Sequence, residues 1–163
     1  MRLEDQEWVI NPNTGNRIDM KKELNDFKLA MIYIDSNFPF FSVLARKLKY
    51  IWSFQCETAC TDGTRMIINP EFMSNYKLRF KAFVIMHEIL HCALDHMQRG
   101  KNHDHVRSNI AADYECNGLL VRDNVVTPSD IKDFYYSPEF ANMSYEMILF
   151  VRMIFCWCKL MQS

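Results

Sequence analysis

The chain has 163 residues, of which 49% are hydrophobic and 24% charged, and its formal net charge is −1. This length suits one domain with a sizeable core. A near-neutral charge argues against a nucleic-acid or anionic-membrane partner held by bulk electrostatics. With 4 Gly and 5 Pro, the composition is that of a globular protein with a tilt toward helix.

The 6 cysteines follow no secretory-type apolar segment. We therefore expect reduced thiols in a cytoplasmic protein rather than a disulfide framework. The most apolar run, Met147 to Met161, contains Arg152 and Lys159. It is too short and too charged to span a membrane, so it is predicted to be a core helix.

The first third of the chain predicts two helices after a loosely held start at residues 1–18. Asp19 can cap a helix that runs to about Ile34, because apolar residues recur there at intervals of three and four. Pro39 suits the first turn of a second helix, which is predicted to reach about Trp52.

Residues 57–61 and 64–68 are short β-prone runs, and Asp62-Gly63 between them is a type I′ hairpin signal. Such a hairpin can present its edge to an extended substrate, which adds as another strand, or it can simply cover the neighbouring helix. Both interpretations stay open. Asn69 then begins a short helical turn.

Residues 77–100 are predicted to form one long helix that carries His87-Glu88-Ile89-Leu90-His91. Four residues advance an α-helix by about 400°, so His87 and His91 lie on one face, roughly 40° apart. Glu88 lies about 100° around from His87, within reach of a metal-bound water. HExxH on a helix is the signature of zinc metallopeptidases, in which the glutamate is the general base.

Catalytic zinc takes three protein ligands and leaves one position for water. Asp95 and His96 are poor candidates for the third ligand because they share an unbroken helix with the histidine pair. Ser108 can cap a following helix, predicted over residues 109–121, in which Asn109, Asp113 and Asn117 are spaced by four.

Asp113 is favoured over Asn109 as the third ligand, because an anionic oxygen binds zinc better than an amide does. The other residue would then hydrogen-bond a histidine N–H. Bound zinc acidifies a water and polarises the scissile carbonyl, and Glu88 moves the proton of that water to the leaving amine. Four side chains are possible donors to the oxyanion, and the sequence does not choose among them: Tyr114, Tyr135, Tyr136 and Arg107.

From residue 58 to about residue 148, the chain resembles the family named putative metallopeptidase domain, found in bacterial and phage proteins and often joined to a von Willebrand factor A-like domain. The resemblance rests on Thr61-Asp62-Gly63, Asn69-Pro70-Glu71-Phe72, the HExxH motif with His96, Asn109-Ile110-Ala111-Ala112-Asp113 with Asn117, and Met143-Ser144-Tyr145-Glu146. It implies a zincin-like fold and a zinc hydrolase, but no substrate. These 163 residues do not include the partner domain.

The polar face at Asn109 and Asp113 also resembles the Glu-x-x-x-Asp helix of thermolysin-like enzymes. In those enzymes the first position binds the metal and the second supports a histidine, so Asn109 stays a candidate ligand.

Together these observations predict a single domain over residues 1–163. Its fold is expected to be α+β and mostly helical, with the metal helix packed beside a small β-hairpin or sheet. The expected function is a zinc-dependent peptidase that acts on a protein or peptide substrate, with Glu88 as the catalytic base and His87, His91 and Asp113 as zinc ligands.

Two other functions are compatible with parts of the sequence. One is a catalytically silent metal-binding module with a regulatory or interaction role, against which the intact Glu88 counts. The other is a structural zinc domain built on cysteines. It ranks last because Cys56-x-x-x-Cys60 and Cys156-x-Cys158 lack the usual paired spacing.

Overall fold

The structure is a computed structural model that describes residues 2–160, with side chains described through Met153. It divides between Leu94 and Asp95 into two compact units. The predicted class, a mostly helical α+β protein, is confirmed. The single domain and the zincin-like arrangement stay predictions.

The first unit holds the sheets and the helix with the HExxH motif. After a 3-10 turn at Leu3–Asp5, its elements are β1 (Trp8–Ile10), β2 (Arg17–Asp19), α1 (Met20–Asn37), α2 (Pro39–Ala45), β3 (Lys49–Trp52), β4 (Ala59–Thr61), β5 (Arg65–Ile68), α3 (Pro70–Ser74) and α4 (Leu78–Ala93). The second unit contains α5 (His96–Arg99), α6 (His105–Arg122) and α7 (Tyr145–Leu160).

The start of the chain, expected to be loosely held, contains an antiparallel hairpin of β1 and β2. Val9 pairs with Ile18, and both side chains are buried because alternate residues of a strand share a face. The turn between the strands is tied to α3 through the Glu71 carboxylate, which accepts hydrogen bonds from three side chains: Asn11, Thr14 and Asn16.

The predicted Asp19 cap is confirmed, since its side chain accepts a hydrogen bond from the backbone N–H of Lys22 at 2.9 Å. The prediction that the second helix reaches Trp52 is wrong. That helix ends at Ala45, and residues 49–52 form β3, which pairs in parallel with β5. Tyr50, Ile51 and Trp52 are aromatic or β-branched, so strand pairing outweighs the helical spacing.

The three-stranded sheet has the order β3-β5-β4, and the predicted hairpin is confirmed as the antiparallel pair of β4 and β5. In its turn the Asp62 carboxylate accepts from the backbone N–H groups of Thr64 and Arg65. Of these turn residues only Gly63 has a positive φ, 87°. A type I′ turn needs two such residues, so the hairpin forms without one.

The helix that carries the HExxH motif is shorter than predicted. It ends at Ala93 rather than near Gly100, and Asp95 follows in the left-handed conformation at φ 53°. Aspartate tolerates this region better than most residues do. The Asp95 carbonyl accepts from the N–H groups of Gln98 and Arg99, which starts α5 as a separate helical turn.

In the second unit, the predicted Ser108 cap is wrong. Asp104 caps α6 by accepting from the backbone N–H of Arg107 at 3.0 Å, and Ser108 lies inside the helix, 2.9 Å from the Tyr145 hydroxyl. The predicted core helix from Met147 is confirmed as part of α7, which begins at Tyr145, and its predicted end, Met161, lies outside the described residues. Apolar residues of α6, α7 and the segment between them form the core: Ala111, Ala112, Phe140, Tyr145, Ile148 and Leu149.

Candidate metal centre

The two histidines of the HExxH motif converge on one side of α4. Their Nε2 atoms lie 2.9 Å apart and their rings meet edge to face, with centroids 4.7 Å apart. Both side chains are half-buried. In the metal-free molecule, this geometry lets one ring N–H donate to the lone pair of the other.

The same pair fits a metal ion. Zinc bonds of about 2.0–2.1 Å at a tetrahedral angle place two imidazole nitrogens about 3.3 Å apart. The observed separation of 2.9 Å therefore needs a change of only a few tenths of an ångström. Neutral imidazole nitrogens are also a donor type that zinc prefers. The His87 and His91 pair is suited to hold two of the three ligand positions of a catalytic zinc site.

Glu88 belongs to a polar stripe on another side of the same helix. Lys81, Glu88 and Cys92 are spaced by seven and four residues, which places them within about 40° of one another around α4 and about 100° from the histidine pair. All three are buried or half-buried, and Glu88 is 9% exposed. The Cys92 thiol donates to the Glu88 carbonyl at 3.4 Å.

The thiols of Cys60 and Cys92 lie near Glu88. Burial, Cys56 and the charge of Glu88 raise the pKa of Cys60 to about 12. Burial also raises the pKa of Cys92; the nearby Glu88 adds to that rise, and the hydrogen bond from Thr61 opposes it. Protonated thiols are poor nucleophiles and poor metal ligands. The thiols of Cys60 and Cys92 are therefore weak nucleophiles in the metal-free protein.

A buried ion cluster holds the N-terminal half of α4 against α1. Lys81 Nζ lies 2.6 Å from Glu23 Oε2 and 2.7 Å from Asp26 Oδ2, and the Lys81 and Glu23 side chains are 1% and 2% exposed. This cluster was not predicted from the sequence. Its one local signal was a lysine within the apolar run Phe80-Lys81-Ala82-Phe83; its partners lie 55 and 58 residues away.

The predicted third ligand and its alternative lie on α6, in the second unit. Asp113 is half-buried, one turn after the exposed Asn109, whose amide nitrogen is 3.4 Å from His105 Nδ1. Asn117 is buried and donates to the Tyr135 carbonyl at 3.0 Å, so it secures the segment before α7. The choice of Asp113 stays a prediction.

His96 is not part of an unbroken metal helix, because α4 ends before it. Its side chain is buried within the second unit, where Nε2 lies 2.6 Å from Glu115 Oε2 and Nδ1 lies 3.8 Å from the Cys116 sulfur. Both ring nitrogens thus face partners inside this unit. The geometry favours a structural role for His96 over metal binding.

The candidate oxyanion donors and the cysteines considered for a structural zinc site lie in different parts of the fold. Among the possible oxyanion donors, Tyr114 packs against Tyr135 and Phe140, and Arg107 is exposed near the start of α6. Of the cysteines considered for a structural zinc site, Cys56 and Cys60 are free and half-buried. The side chains of the other two, Cys156 and Cys158, lie outside the described residues.

Two converging imidazoles and an adjacent buried carboxylate on one helix, beside a small sheet, form a candidate metal site of the kind that a hydrolase can use. A family model described as "Putative metallopeptidase domain" matches residues 22–153. The chain belongs to this family, as the sequence analysis predicted. The link to a von Willebrand factor A-like domain is not part of the match.

No curated protein and no solved structure matches the chain. Within the described residues, no helix combines the length and the apolar character needed to cross a membrane.

Proposed function

We propose that this protein is a zinc-dependent peptidase of the cytoplasm, with Glu88 as the general base and His87, His91 and Asp113 as the zinc ligands. The observation that carries the proposal is the convergence of the two Nε2 atoms to 2.9 Å on a helix that also bears the buried Glu88. Membership in a metallopeptidase-domain family supports the same reaction class.

When bound, zinc would polarise the scissile carbonyl and acidify the attacking water. His87 and His91 would hold the ion through Nε2. Asp113 would supply an anionic oxygen, which suits zinc better than the amide of Asn109.

Glu88 would carry the proton. Its carboxylate takes a proton from the attacking water and delivers it to the leaving amine nitrogen, as a general base and then a general acid. Burial at 9% exposure keeps bulk water from competing for that proton. The protonated thiols of Cys60 and Cys92 nearby do not compete as nucleophiles.

The position of β4 supports a peptide substrate. This strand contacts α4 and pairs with β5 along one edge, and no second strand pairs with it within the described part of the chain. An extended peptide can pair with such a free edge through its backbone. We therefore favour strand addition over a purely covering role for the hairpin.

The test is cleavage of a panel of unfolded proteins by zinc-loaded protein, followed by mass spectrometry. Glu88→Gln should abolish cleavage while bound zinc stays at one equivalent, and Glu57→Gln, an exposed carboxylate on the loop before β4, should leave cleavage unchanged. Cleavage that survives in Glu88→Gln contradicts the general-base assignment.

The third ligand needs its own comparison. Asp113→Ala should lower zinc occupancy, and Asn109→Ala should leave it unchanged. Wild-type zinc binding with no cleavage of any substrate would favour the silent metal-binding module instead.

A further inference from the structure

Two polar contacts hold the same side of α4 at its two ends. Near the start of the helix, Lys81 bonds to Glu23 and Asp26 of α1. Near its end, the Cys92 sulfur lies 3.1 Å from the Thr61 hydroxyl of β4. Glu88 lies between these contacts on the same stripe. Both contacts are directional polar ones, and most of the other buried side chains of this helix are apolar.

The cluster at Lys81 is tight and specific in direction. The Nζ atom has two carboxylate oxygens at 2.6 and 2.7 Å, and Lys22 neutralises the second of them from 2.9 Å. Hydrogen bonds of this length form only when α4 has one particular rotation about its axis. Apolar side chains can repack after a small rotation at modest cost. A rotation of about 20° carries a side-chain end about 2 Å at the roughly 5–6 Å radius of a helix.

We propose that Lys81, with Glu23 and Asp26, is a positioning residue that sets the rotation of α4 and thereby the direction of His87, His91 and Glu88. The inference rests on the proposed function for its consequence in metal binding. The three site residues turn together with the helix. The cluster therefore determines where their atoms point, while their mutual geometry is set by the helix itself.

Stability alone does not account for the cluster. Buried ion pairs replaced by apolar residues of similar size often leave a protein equally stable or more stable, because desolvation offsets their attraction. Lys81 and Glu23 are both almost fully buried. An exchange of both for methionine removes the directional bonds without leaving a charge unpaired inside the core.

The test compares wild type with the double variant Lys81→Met and Glu23→Met. In the metal-free protein, the rate of Cys92 alkylation, read by peptide mapping, should rise several-fold, because release of α4 loosens the Thr61 contact. In the presence of the metal, zinc affinity should fall by roughly 2- to 30-fold, the range of indirect couplings. The absorption spectrum of the Co²⁺-substituted protein should change with it.

A control separates rotation from a general loss of stability. Val9→Ala removes buried apolar volume from the hairpin of β1 and β2 and leaves the ion cluster intact. It should retain wild-type alkylation of Cys92 and wild-type zinc affinity. If the double variant does not fold, Asp26→Asn weakens the same cluster from its more exposed side and should move both readouts in the same direction.

Unchanged alkylation of Cys92 in the folded variants overturns the inference, and so does unchanged zinc affinity when wild type binds zinc. If wild type binds no zinc, the proposed function fails, while the alkylation rates still decide whether Lys81 sets the helix rotation.

Discussion

The Glu115 side chain, on α6, contacts residues of both α5 and α7 in the second unit. Its carboxylate lies 2.6 Å from His96 Nε2 and 3.2 Å from the Arg99 guanidinium. Burial raises the pKa of Glu115, but the bonds from His96 and the Tyr145 backbone, with the charge of Arg99, outweigh burial and leave that pKa below its usual value of 4.5. The folded protein therefore favours the ionised carboxylate.

The sign of the pH dependence follows from that shift. A carboxyl whose pKa is lower in the folded state stabilises the protein above its unfolded pKa, and this contribution is lost as the pH falls through the folded pKa. Glu115→Gln should therefore lower the free energy of unfolding by about 1–3 kcal/mol at pH 7. The deficit should shrink below pH 4.5.

Urea denaturation of both proteins at pH 7 and pH 3.5 measures this difference. Glu139→Gln, at an exposed position in the same unit, should match wild type at both values. A deficit in Glu115→Gln that stays constant with pH would mean that the amide disrupts packing rather than charge.

The end of α4, two residues before Asp95, shows how a helix can stop without a glycine. Gly100, the glycine expected there, ends α5 instead. Asp95 takes the left-handed conformation at φ 53° and ψ 39°, and its carbonyl begins the next turn. Termination at this position depends on one backbone conformation that most side chains disfavour.

Substitutions at Asp95 should rank by their tolerance of positive φ. Asp95→Val should unfold more readily than Asp95→Gly by about 1–2 kcal/mol, because a β-branched side chain clashes in the left-handed region. Asp123, which follows α6 with an ordinary φ of −85°, is the matched control. There the glycine variant should be no more stable than the valine variant. The same ranking at both positions would contradict the conformational explanation.

The helices that sequence patterns predicted best are those whose signals are local. Each of these signals depends on neighbours within one or two turns, so it can be recognised in the sequence. The examples are the caps at Asp19 and Asn69 and the interval of four residues between His87 and His91. The strand at residues 49–52 was missed because its partner, β5, lies sixteen residues further on. Short apolar runs fit helix and strand equally well until such a partner is known.

In the whole molecule too, the parts of the candidate site with local signals could be predicted from the sequence, and the parts that depend on distant contacts could not. The histidine pair and Glu88 follow from helical spacing, which any reader of the sequence can compute. The contact of Lys81 with Glu23 spans 58 residues and depends on how two helices pack, which the sequence alone does not reveal. The role of Asp113 depends on the second unit and remains a prediction from spacing and donor chemistry.

Metal binding should be visible in the stability of the whole chain. A ligand that binds the folded state at 100 times its Kd stabilises it by about 2.7 kcal/mol. For a protein of this size that corresponds to roughly 5–10 °C in Tm. Added zinc should therefore raise the Tm, and a chelator should reverse the shift.

The matched variant is His87→Ala with His91→Ala, which should show no shift with zinc. Calcium, which prefers oxygen ligands, should have little effect on wild type. An equal zinc shift in the double variant would place the stabilising ion elsewhere in the protein.

Three side chains in the turn between β1 and β2 donate hydrogen bonds to Glu71. These bonds have a practical consequence for the design of shorter chains. A cut at the start of α1 removes Asn11, Thr14 and Asn16 together, and with them both strands of the hairpin that contacts α1 and α3. The trimmed polypeptide would keep every residue of the HExxH motif, but the apolar surface that the hairpin covers would be exposed to solvent. Low recovery of such a fragment would reflect self-association rather than a defect in the motif.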